Sequence, residues 1–292
     1  MSEFTAVGPA EAHDGLRPLR PRHSLLETEG VVVSEDATRL LNGVNVWMYP
    51  TGCSELWEPC SSSSGEGTFR FKNADSTQLN VRFDSFVVYK AVTCSTISVG
   101  GGERAQEFFD RAEVTLNATL SAGIERALAE GLQGSSNPFF GDTNVQTPAG
   151  VSAVSPGVAL SYLEEAIGES CRQGMLHFTP AVVAGLQAFP IEGNADQRLI
   201  TANGTPVVSG DGYIGIGATG GLPAAGAGES WAFATGRVEV HLGPVVNTTL
   251  AENLDRSDNV VTYRAERYAL AIWDGIDEDE LAAAAVLVDW AS

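Results

Sequence analysis

The stretch from Glu103 to Gly131 constrains the fold more than any other part of the chain. Its apolar residues recur at helical spacing, at Ala105, Phe108, Phe109, Ala112, Leu116, Leu120, Ile124, Ala127 and Leu128. No proline interrupts the stretch, three glycines precede it, and Gly131 is a natural C-terminal stop. At about 1.5 Å per residue the predicted helix is roughly 40 Å long. Such a helix in a chain otherwise rich in strands and glycine predicts a central support for sheets and loops. A core helix of an ordinary α+β enzyme is the alternative.

Composition excludes several classes of protein. The 292 residues suffice for one large or two modest domains, and 43% hydrophobic content excludes wholesale disorder. The net charge of −20 predicts repulsion from nucleic acid and from anionic membranes. No apolar run approaches the ~20 residues that span a bilayer, so no membrane contact is predicted. The N-terminus lacks a basic region followed by an apolar core, so we expect folding in a cytosol.

The four cysteines do not suggest a metal site. Cys53, Cys60, Cys94 and Cys171 form no CxxC pair and have no histidine partner at zinc-ligand spacing. Free, partly buried thiols are the favoured interpretation. A disulfide that forms after release from the cell is the alternative.

Residues 1–42 read as an extended arm that ends in a short ordered element. Three arginines in it, Arg17, Arg20 and Arg22, are separated by prolines, which favours an extended backbone with the guanidinium groups held apart. On so acidic a chain, we predict that they contact carboxylates of a neighbouring subunit. Contact with packaged nucleic acid is the alternative.

Residues 43–98 read as long antiparallel ribbons with a flexible, serine-rich tip. The predicted strands are Val44–Tyr49, Thr68–Lys72, Val81–Phe83 and Ser85–Tyr89. An isolated ribbon is barely stable in water, so it needs the body of the protein or a second chain to lie on.

The rest of the chain mixes helices and strands without regular alternation, which excludes a doubly wound α/β fold. A loop at 133–156 carries the adjacent Phe139 and Phe140, which predicts a partner surface that buries them. Helices are predicted at 156–173 and 180–188, a buried strand at 175–178, a hairpin at 200–209 with its turn at Asn203-Gly204, and a glycine-rich loop at 210–230. Later strands are predicted at 231–242 (one or two), 259–273 (a pair or one long bent strand) and 284–290.

No motif predicts catalysis. Gly215–Gly220 matches GxGxxG, but a poor helix sequence follows, which favours ordinary loop glycines. His177 is predicted to be a hydrogen-bonded core imidazole and His241 to lie on the polar face of a strand. The acidic stretch Asp274–Glu280 is predicted to be a solvated turn, with divalent-cation binding as the alternative. We therefore predict no catalytic residue, no cofactor, no metal and no enzymatic activity.

The order of elements resembles the major capsid proteins of tailed bacteriophages, whose Johnson fold is shared with encapsulin shells. The arm, the ribbon and the long helix follow in the order of that family. Local strings are also similar: Gly123–Gly131 at the end of the helix, Leu160–Leu186 for a helix, strand and helix, and Gly204–Val208 for a short strand. Asn259–Trp273 is similar to a string near the family's C-terminus. The resemblance covers about the whole chain.

The resemblance implies an α+β fold with five parts. These are an N-terminal arm (1–42), an extended β-hairpin loop with flanking strands (43–98), a peripheral domain with its spine helix at 103–131 (99–155), an axial domain (156–240) and returning peripheral strands (241–292). Inter-subunit contacts are expected from Arg17, Arg20, Arg22, Trp57, Phe69, Phe71, Phe139 and Phe140. With two lysines, Lys72 and Lys90, the lysine–asparagine cross-linking of some members is not predicted.

The implied function is that of a subunit which self-assembles into an icosahedral phage head. Its expected partners are copies of itself in hexamers and pentamers, together with scaffolding, decoration and portal proteins. It would enclose double-stranded DNA without sequence-specific binding, in a virion assembled in the host cytoplasm. An encapsulin-like compartment or another virion component is the first alternative. A soluble ligand-binding protein or enzyme that uses the glycine-rich loop 204–231 is the second.

Overall fold

The computed structural model describes residues 17–35, 42–48, 80–95, 102–148, 152–186, 191–193, 199–216, 220–248, 254–255, 260–277 and 281–291. Within these residues the α-helices are α1 (Gly102–Glu130), α2 (Pro156–Glu169) and α3 (Pro180–Gly185). The strands are β1 (Val32–Ser34), β2 (Val44–Trp47), β3 (Asn80–Phe83), β4 (Phe86–Ser95), β5 (Met175–Phe178), β6 (Ile191–Gly193), β7 (Leu199–Thr201), β8 (Val207–Ser209), β9 (Glu229–Thr235), β10 (Val238–Thr248), β11 (Leu254–Asp255), β12 (Val260–Trp273) and β13 (Ala284–Asp289). Two short 3-10 turns occupy Leu25–Glu27 and Asp211–Tyr213.

The first sheet is built around β12. This strand pairs antiparallel with β10, β4 and β11, and β10 pairs in parallel with β1. A register shift between Leu242 and Val245 interrupts the pairing of β10 with β12. Next to this sheet, β2 and β3 form a separate antiparallel pair. The described part of the predicted ribbons consists of the four-residue β2 and β3 and of β4, which contains most of the predicted strand Ser85–Tyr89. The predicted segment Thr68–Lys72 lies outside the described residues.

The long helix α1 packs on one face of this sheet, as its apolar spacing requires. Every fourth residue is buried, at Ala112, Leu116, Leu120, Ile124 and Leu128. The backbone of Gly131 has φ of +75°, which ends the helix in the conformation that glycine adopts without strain. The predicted helix 103–131 is therefore confirmed almost to the residue.

Aromatic and glycine contacts fix how α1 lies on the sheet. Tyr263 of β12 stacks on Phe108 at 5.3 Å between ring centroids and meets the edge of Phe109 at 5.0 Å. Further along, a Cβ placed on Gly123 would lie 2.7 Å from Cγ1 of Val88 in β4. At Gly123 the helix therefore lies so close to β4 that a side chain would not fit without a shift of Val88.

The second sheet has the order β13-β9-β5-β8 and is covered by α2. Leu163 and Ile167 of α2 pack with Leu176 of β5 and Val286 of β13 in an apolar core. In this sheet β5 is parallel to β8 and antiparallel to β9. The predicted buried strand 175–178 is confirmed with its bounds, because a continuous apolar run suits a strand that is covered on both faces.

The two sheets meet between β9 and β10. Only Gly236 and Arg237 separate these strands, yet the strands belong to different sheets. The N–H of Gly236 donates to the carbonyl oxygen of Asp274 at 2.8 Å, and the N–H of Asp274 donates to the carbonyl of Arg237 at 2.9 Å. A Cβ on Gly236 would lie 2.6 Å from Cβ of Asp274, so this crossing needs glycine.

Several predicted elements differ in extent from the observed ones. The segment 231–242 belongs to two strands, and 259–273 forms one strand. Helix α2 ends at Glu169 and not at Gln173, because the Ser170 hydroxyl donates to the Ile167 carbonyl at 2.7 Å and Cys171 turns to φ of +51°. The turn at Asn203-Gly204 is present, and Ile200 bridges antiparallel to Pro206 across it, while β7 also pairs with β6 and β8 with β5. The last strand, β13, pairs with β9 in the second sheet, so residues 241–292 do not all return to the first sheet.

The expectation of free thiols is wrong for Cys171, which is disulfide-bonded. The residue lies at the exposed turn that follows α2. The side chains of the other three cysteines lie outside the described residues. Sequence spacing could not reveal the bond, because the pairing of cysteines depends on which segments the fold brings together.

Candidate functional site

The described residues contain no group of three or more histidine, cysteine, aspartate or glutamate side chains placed to hold a metal ion. Among these residues, no helix is both long enough and apolar enough to cross a membrane. Three features of the described residues are candidates: the buried polar network around His177, the buried polar network around Glu125, and a set of exposed apolar side chains.

The first network surrounds His177, whose side chain is fully buried. The Thr235 hydroxyl lies 3.0 Å from the carbonyl of Gly236, to which it donates, so it accepts the Nε2–H of His177 at 2.9 Å. On the other side of the ring, Nδ1 accepts the hydroxyl proton of Tyr213 at 2.8 Å. Burial lowers the pKa of His177 to about 3, so the ring is neutral. Both ring nitrogens are satisfied, which confirms the predicted core imidazole.

The second network surrounds Glu125 of α1, whose side chain is also fully buried. Two segments that are distant from α1 in sequence meet there. We call residues 17–28 the arm segment and residues 210–213 the polar turn. Each segment donates a backbone N–H to the carboxylate, from Leu25 and from Gly212. Glu125 is not among the site residues predicted from the sequence, although a lone glutamate within the apolar face of a predicted helix was an available signal.

The glycine-rich loop is packed against the body of the protein and is not arranged as a nucleotide-binding turn. Tyr213, Ile216 and Leu222 from this region lie in the main core. Gly220 has φ of +49°, and a Cβ there would lie 2.3 Å from the carbonyl oxygen of Gly141. In the described part of the loop, no α-helix follows the GxGxxG string. The interpretation of these residues as loop glycines agrees with this arrangement.

The three arm arginines have different surroundings. Arg20 donates to the carbonyl of Asn117 in α1 at 3.2 Å and forms an ion pair with Glu27 at 2.6 Å. It is therefore engaged within its own chain, and its contact with a neighbour stays a prediction. Arg17 and Arg22 are exposed.

The two adjacent phenylalanines are separated by the fold. Phe140 is fully buried, with its ring 5.1 Å from Trp273 and 5.6 Å from Phe233 between centroids. Its prediction as an inter-subunit contact is wrong, because its own chain already covers it. Phe139 is partly buried and packs over Gly131. The other predicted aromatic contacts, Trp57, Phe69 and Phe71, lie outside the described residues.

Exposed apolar side chains occur on several elements. Leu19 in the arm segment is 87% exposed, and Trp47, Tyr89 and Ile214 are 60%, 56% and 55% exposed. The sequence analysis missed these residues. For Leu19, the signal was an isolated leucine among prolines and arginines.

A cleft of about 330 Å³ lies between β1 and the second sheet. Its lining is largely backbone and apolar side chains and includes Met175, Pro206 and the charged Arg237. It touches the predicted ligand region 204–231 only at Pro206.

No protein-family model matches the sequence, and no curated protein matches it. Solved structures do match. One from Mycobacterium phage Cain is 12% identical over 98% of each chain, with a TM-score of 0.55. The capsid of an empty GTA particle is 13% identical over 97% of this chain and 95% of that chain, with a TM-score of 0.51. The holo-SrpI encapsulin complex from Synechococcus elongatus PCC 7942 is 12% identical over 98% and 94%, with a TM-score of 0.51.

At these identities the likeness is one of fold. The chain has the mixed α+β fold of these capsid and encapsulin structures, and the resemblance to the Johnson fold is confirmed at that level.

Proposed function

We propose that this chain, which has the fold of capsid and encapsulin shells, is the structural subunit of an icosahedral phage head. The observation that carries the proposal is the extent of the match. The likeness covers 98% of this chain and 98% of the chain from Mycobacterium phage Cain. Because the shell-forming fold covers almost the whole chain, few residues remain for an added catalytic domain. We accordingly propose that it has no enzymatic activity.

The exposed apolar side chains support a role in assembly. Leu19, Trp47, Tyr89 and Ile214 lie on different elements, which fits a subunit with several neighbours better than a protein with one ligand pocket. Copies of the chain arranged in hexamers and pentamers would cover such dispersed residues.

The proposed inter-subunit contacts are Arg17, Arg22, Trp57, Phe69, Phe71 and Phe139, to which we add Leu19. Arg20 stays among the proposed contacts, and it also holds the arm segment to α1. We also retain the division into arm (1–42), extended loop (43–98), peripheral domain (99–155), axial domain (156–240) and returning strands (241–292) as a proposal, with β13 placed beside β9.

The net charge of −20 fits a container for DNA. A shell that must release its genome gains from weak contact with the phosphate backbone, and an acidic chain provides that. We propose enclosure of double-stranded DNA without sequence-specific binding, in a virion assembled in the host cytoplasm. Scaffolding, decoration and portal proteins are the further partners of such a shell.

An encapsulin-like compartment is the second candidate, because one of the matching structures is an encapsulin complex. Its cargo would be protein and not DNA. A ligand-binding protein or enzyme that uses residues 204–231 has less support, because the buried side chains of that region pack into the core.

Negative-stain electron microscopy of the purified chain, with size-exclusion chromatography, tests the proposal. We expect closed shells, or rings of five and six subunits. A monomer or dimer that stays small at high salt and raised protein concentration would refute a shell.

The contents of the shells distinguish the two candidates. Particles purified from infected or expressing cells are treated with nuclease and then opened. Nuclease-resistant DNA supports the phage head, whereas a stoichiometric protein cargo and no DNA support the compartment.

A further inference from the structure

One buried carboxylate joins three separate segments of the chain. Oε1 of Glu125 accepts the N–H of Leu25 at 2.8 Å and the hydroxyl proton of Ser121 at 2.9 Å. Its Oε2 accepts the N–H of Gly212 at 2.9 Å. The N–H of Leu26 in turn donates to the Ser121 hydroxyl at 3.2 Å. The arm segment, α1 and the polar turn therefore meet at this side chain.

The polar turn approaches α1 as closely as glycine allows. A Cβ on Gly210 would lie 2.6 Å from Cδ of Glu125. A Cβ on Gly212 would lie 2.3 Å from the carbonyl oxygen of Ala122 and 2.5 Å from Cβ of Glu125. Because these two residues are glycines, the backbone N–H of the turn can reach the carboxyl group. Residues with a side chain at these positions would hold the turn further away.

The carboxyl group of Glu125 is surrounded by hydrogen-bond donors. Among the described residues, no ion pair involves it, and the adjacent Arg126 pairs with Glu130 at 2.8 Å. Burial raises the pKa of Glu125, the hydrogen bonds from Leu25, Gly212 and Ser121 lower it in part, and the nearby Asp211 raises it slightly.

The hydrogen bonds that Leu25 and Gly212 donate to Glu125 depend energetically on one another. Burial of a carboxylate has a free-energy cost because its hydration is lost, and hydrogen bonds to the protein compensate for that cost. A buried carboxylate that loses one donor bears the same cost with less compensation. The donors come from positions 100 and 87 residues away from Glu125 in sequence. Departure of the arm segment would therefore weaken the attachment of the polar turn, and the reverse also holds.

We propose that Glu125 is a latch that attaches the arm segment and the polar turn to α1 as one unit, so that the two detach and reattach together. Arg20, which donates to Asn117, and Ser121, which accepts from Leu26, add to this attachment of the arm segment. An effect of this latch on contact between subunits rests on the proposed function. The attachment of the two segments by Glu125 does not.

The polar turn links the latch to the second sheet. Tyr213, in the same turn, donates its hydroxyl proton to His177 of β5, which is bonded to Thr235 of β9. The groups that face Glu125 are thus Asp211 and Tyr213 from the turn, Ser121 from α1 and the backbone of the arm segment. The arm segment is therefore connected to the second sheet by successive hydrogen bonds through Glu125, the polar turn and His177.

Trypsin reports detachment of the arm at one bond. The bonds after Arg17 and Arg20 precede prolines and resist trypsin, so the bond between Arg22 and His23 is the cleavable one in the arm segment. Hydrogen exchange of the peptide that contains residues 210–213 reports on the polar turn. If assembly covers Arg22 and blocks trypsin, the hydrogen exchange of this peptide still reports whether the polar turn is attached to Glu125. Both measurements are made on the full chain, in the same size-exclusion peak for every variant.

The decisive variant is Glu125→Leu, which removes every acceptor at similar size. We expect arm cleavage and exchange in the polar turn to rise together, by about tenfold or more, as loss of charge-assisted hydrogen bonds implies. Glu125→Gln keeps one acceptor oxygen and should raise both by less. Glu107→Leu, at an exposed position of the same helix, is the matched control and should change neither.

Two outcomes would overturn the proposal. Faster arm cleavage with unchanged exchange in the polar turn would show two independent attachments, and no change in either would show that Glu125 holds neither segment. Cleavage after Arg267, in the first sheet, marks global unfolding. If Glu125→Leu unfolds by that criterion, Glu125→Gln and Ser121→Ala provide the same comparison. Electron microscopy tests the shell separately, so failure of one proposal is distinguishable from failure of the other.

Discussion

At the scale of single residues, hydrogen bonds satisfy two of the polar side chains that the described residues bury. His177 has a partner on each ring nitrogen, and Glu125 has three donors. A buried polar group without partners would cost about 1–3 kcal/mol. Each of these side chains also connects segments that are distant in sequence, so each helps to specify one packing arrangement.

The neutral His177 should make stability fall in acid. Its pKa is lowered from 6.5 in the unfolded chain to about 3 in the folded one, so the unfolded chain binds the proton more readily. Its contribution is complete above pH 6.5 and is lost as pH falls toward 3. The loss is about 1.4 kcal/mol per pH unit, or about 2 kcal/mol at pH 5.

Urea unfolding of the unassembled chain at several pH values measures this effect. We expect His177→Gln to lack the extra slope below pH 6.5, because glutamine does not titrate. His23→Gln, outside the buried network, should keep it. Equal slopes for wild type and His177→Gln would contradict the assignment.

At the scale of elements, α1 organises the chain because it contacts parts that are far apart in sequence. Its buried face lies on β4 and β12, and its other contacts reach the arm segment and the polar turn. The helix approaches β4 at Gly123, where the Val88 side chain fills the space of the missing Cβ. The spacing of helix and sheet therefore depends on that glycine.

Two glycine-to-alanine substitutions test this spacing. Gly123→Ala should destabilise the fold by about 1–3 kcal/mol, because the new methyl group overlaps Val88. Gly168→Ala in α2 meets nothing within 4 Å and should stabilise by up to about 1 kcal/mol, through helix propensity alone. The thermal unfolding midpoint should fall for Gly123→Ala and rise for Gly168→Ala. A shift in the same direction for both variants would argue against close packing at Gly123.

At the scale of the whole molecule, the two largest sheets of the described residues share one chain, and apolar side chains remain exposed around them. Leu19 is the most exposed of the large apolar residues described, at 87%. A leucine in that state adds little to the stability of a single chain. It can add to assembly if a neighbouring copy buries it.

Substitution of Leu19 separates folding from assembly. Leu19→Ser should change the free energy of unfolding by less than about 0.5 kcal/mol. It should also reduce the yield of large particles in size-exclusion chromatography and light scattering. Leu19→Met, which stays apolar, should restore the yield. Normal assembly of Leu19→Ser would remove this residue from the proposed interface.

Elements with local causes were predictable from the sequence. Helix α1 follows from its apolar period, β5 from its continuous apolar run, and the starts of α2 and α3 from Pro156 and Pro180. The core role of His177 was also predictable, since it lies within that apolar run. Glu125 was not, because its partners are a backbone N–H in the arm and another in a distant turn.

The sequence by itself therefore determined the kinds of element, their order and the long helix that carries them, because these depend on spacing within a few residues. The tertiary structure decided which strands share a sheet, so that β9 and β10 separate after two residues and β13 joins β9. It also decided that Phe140 is core and that Cys171 forms a disulfide. These outcomes depend on contacts between segments distant along the chain, and local patterns of residues do not specify which distant surface covers a given side chain.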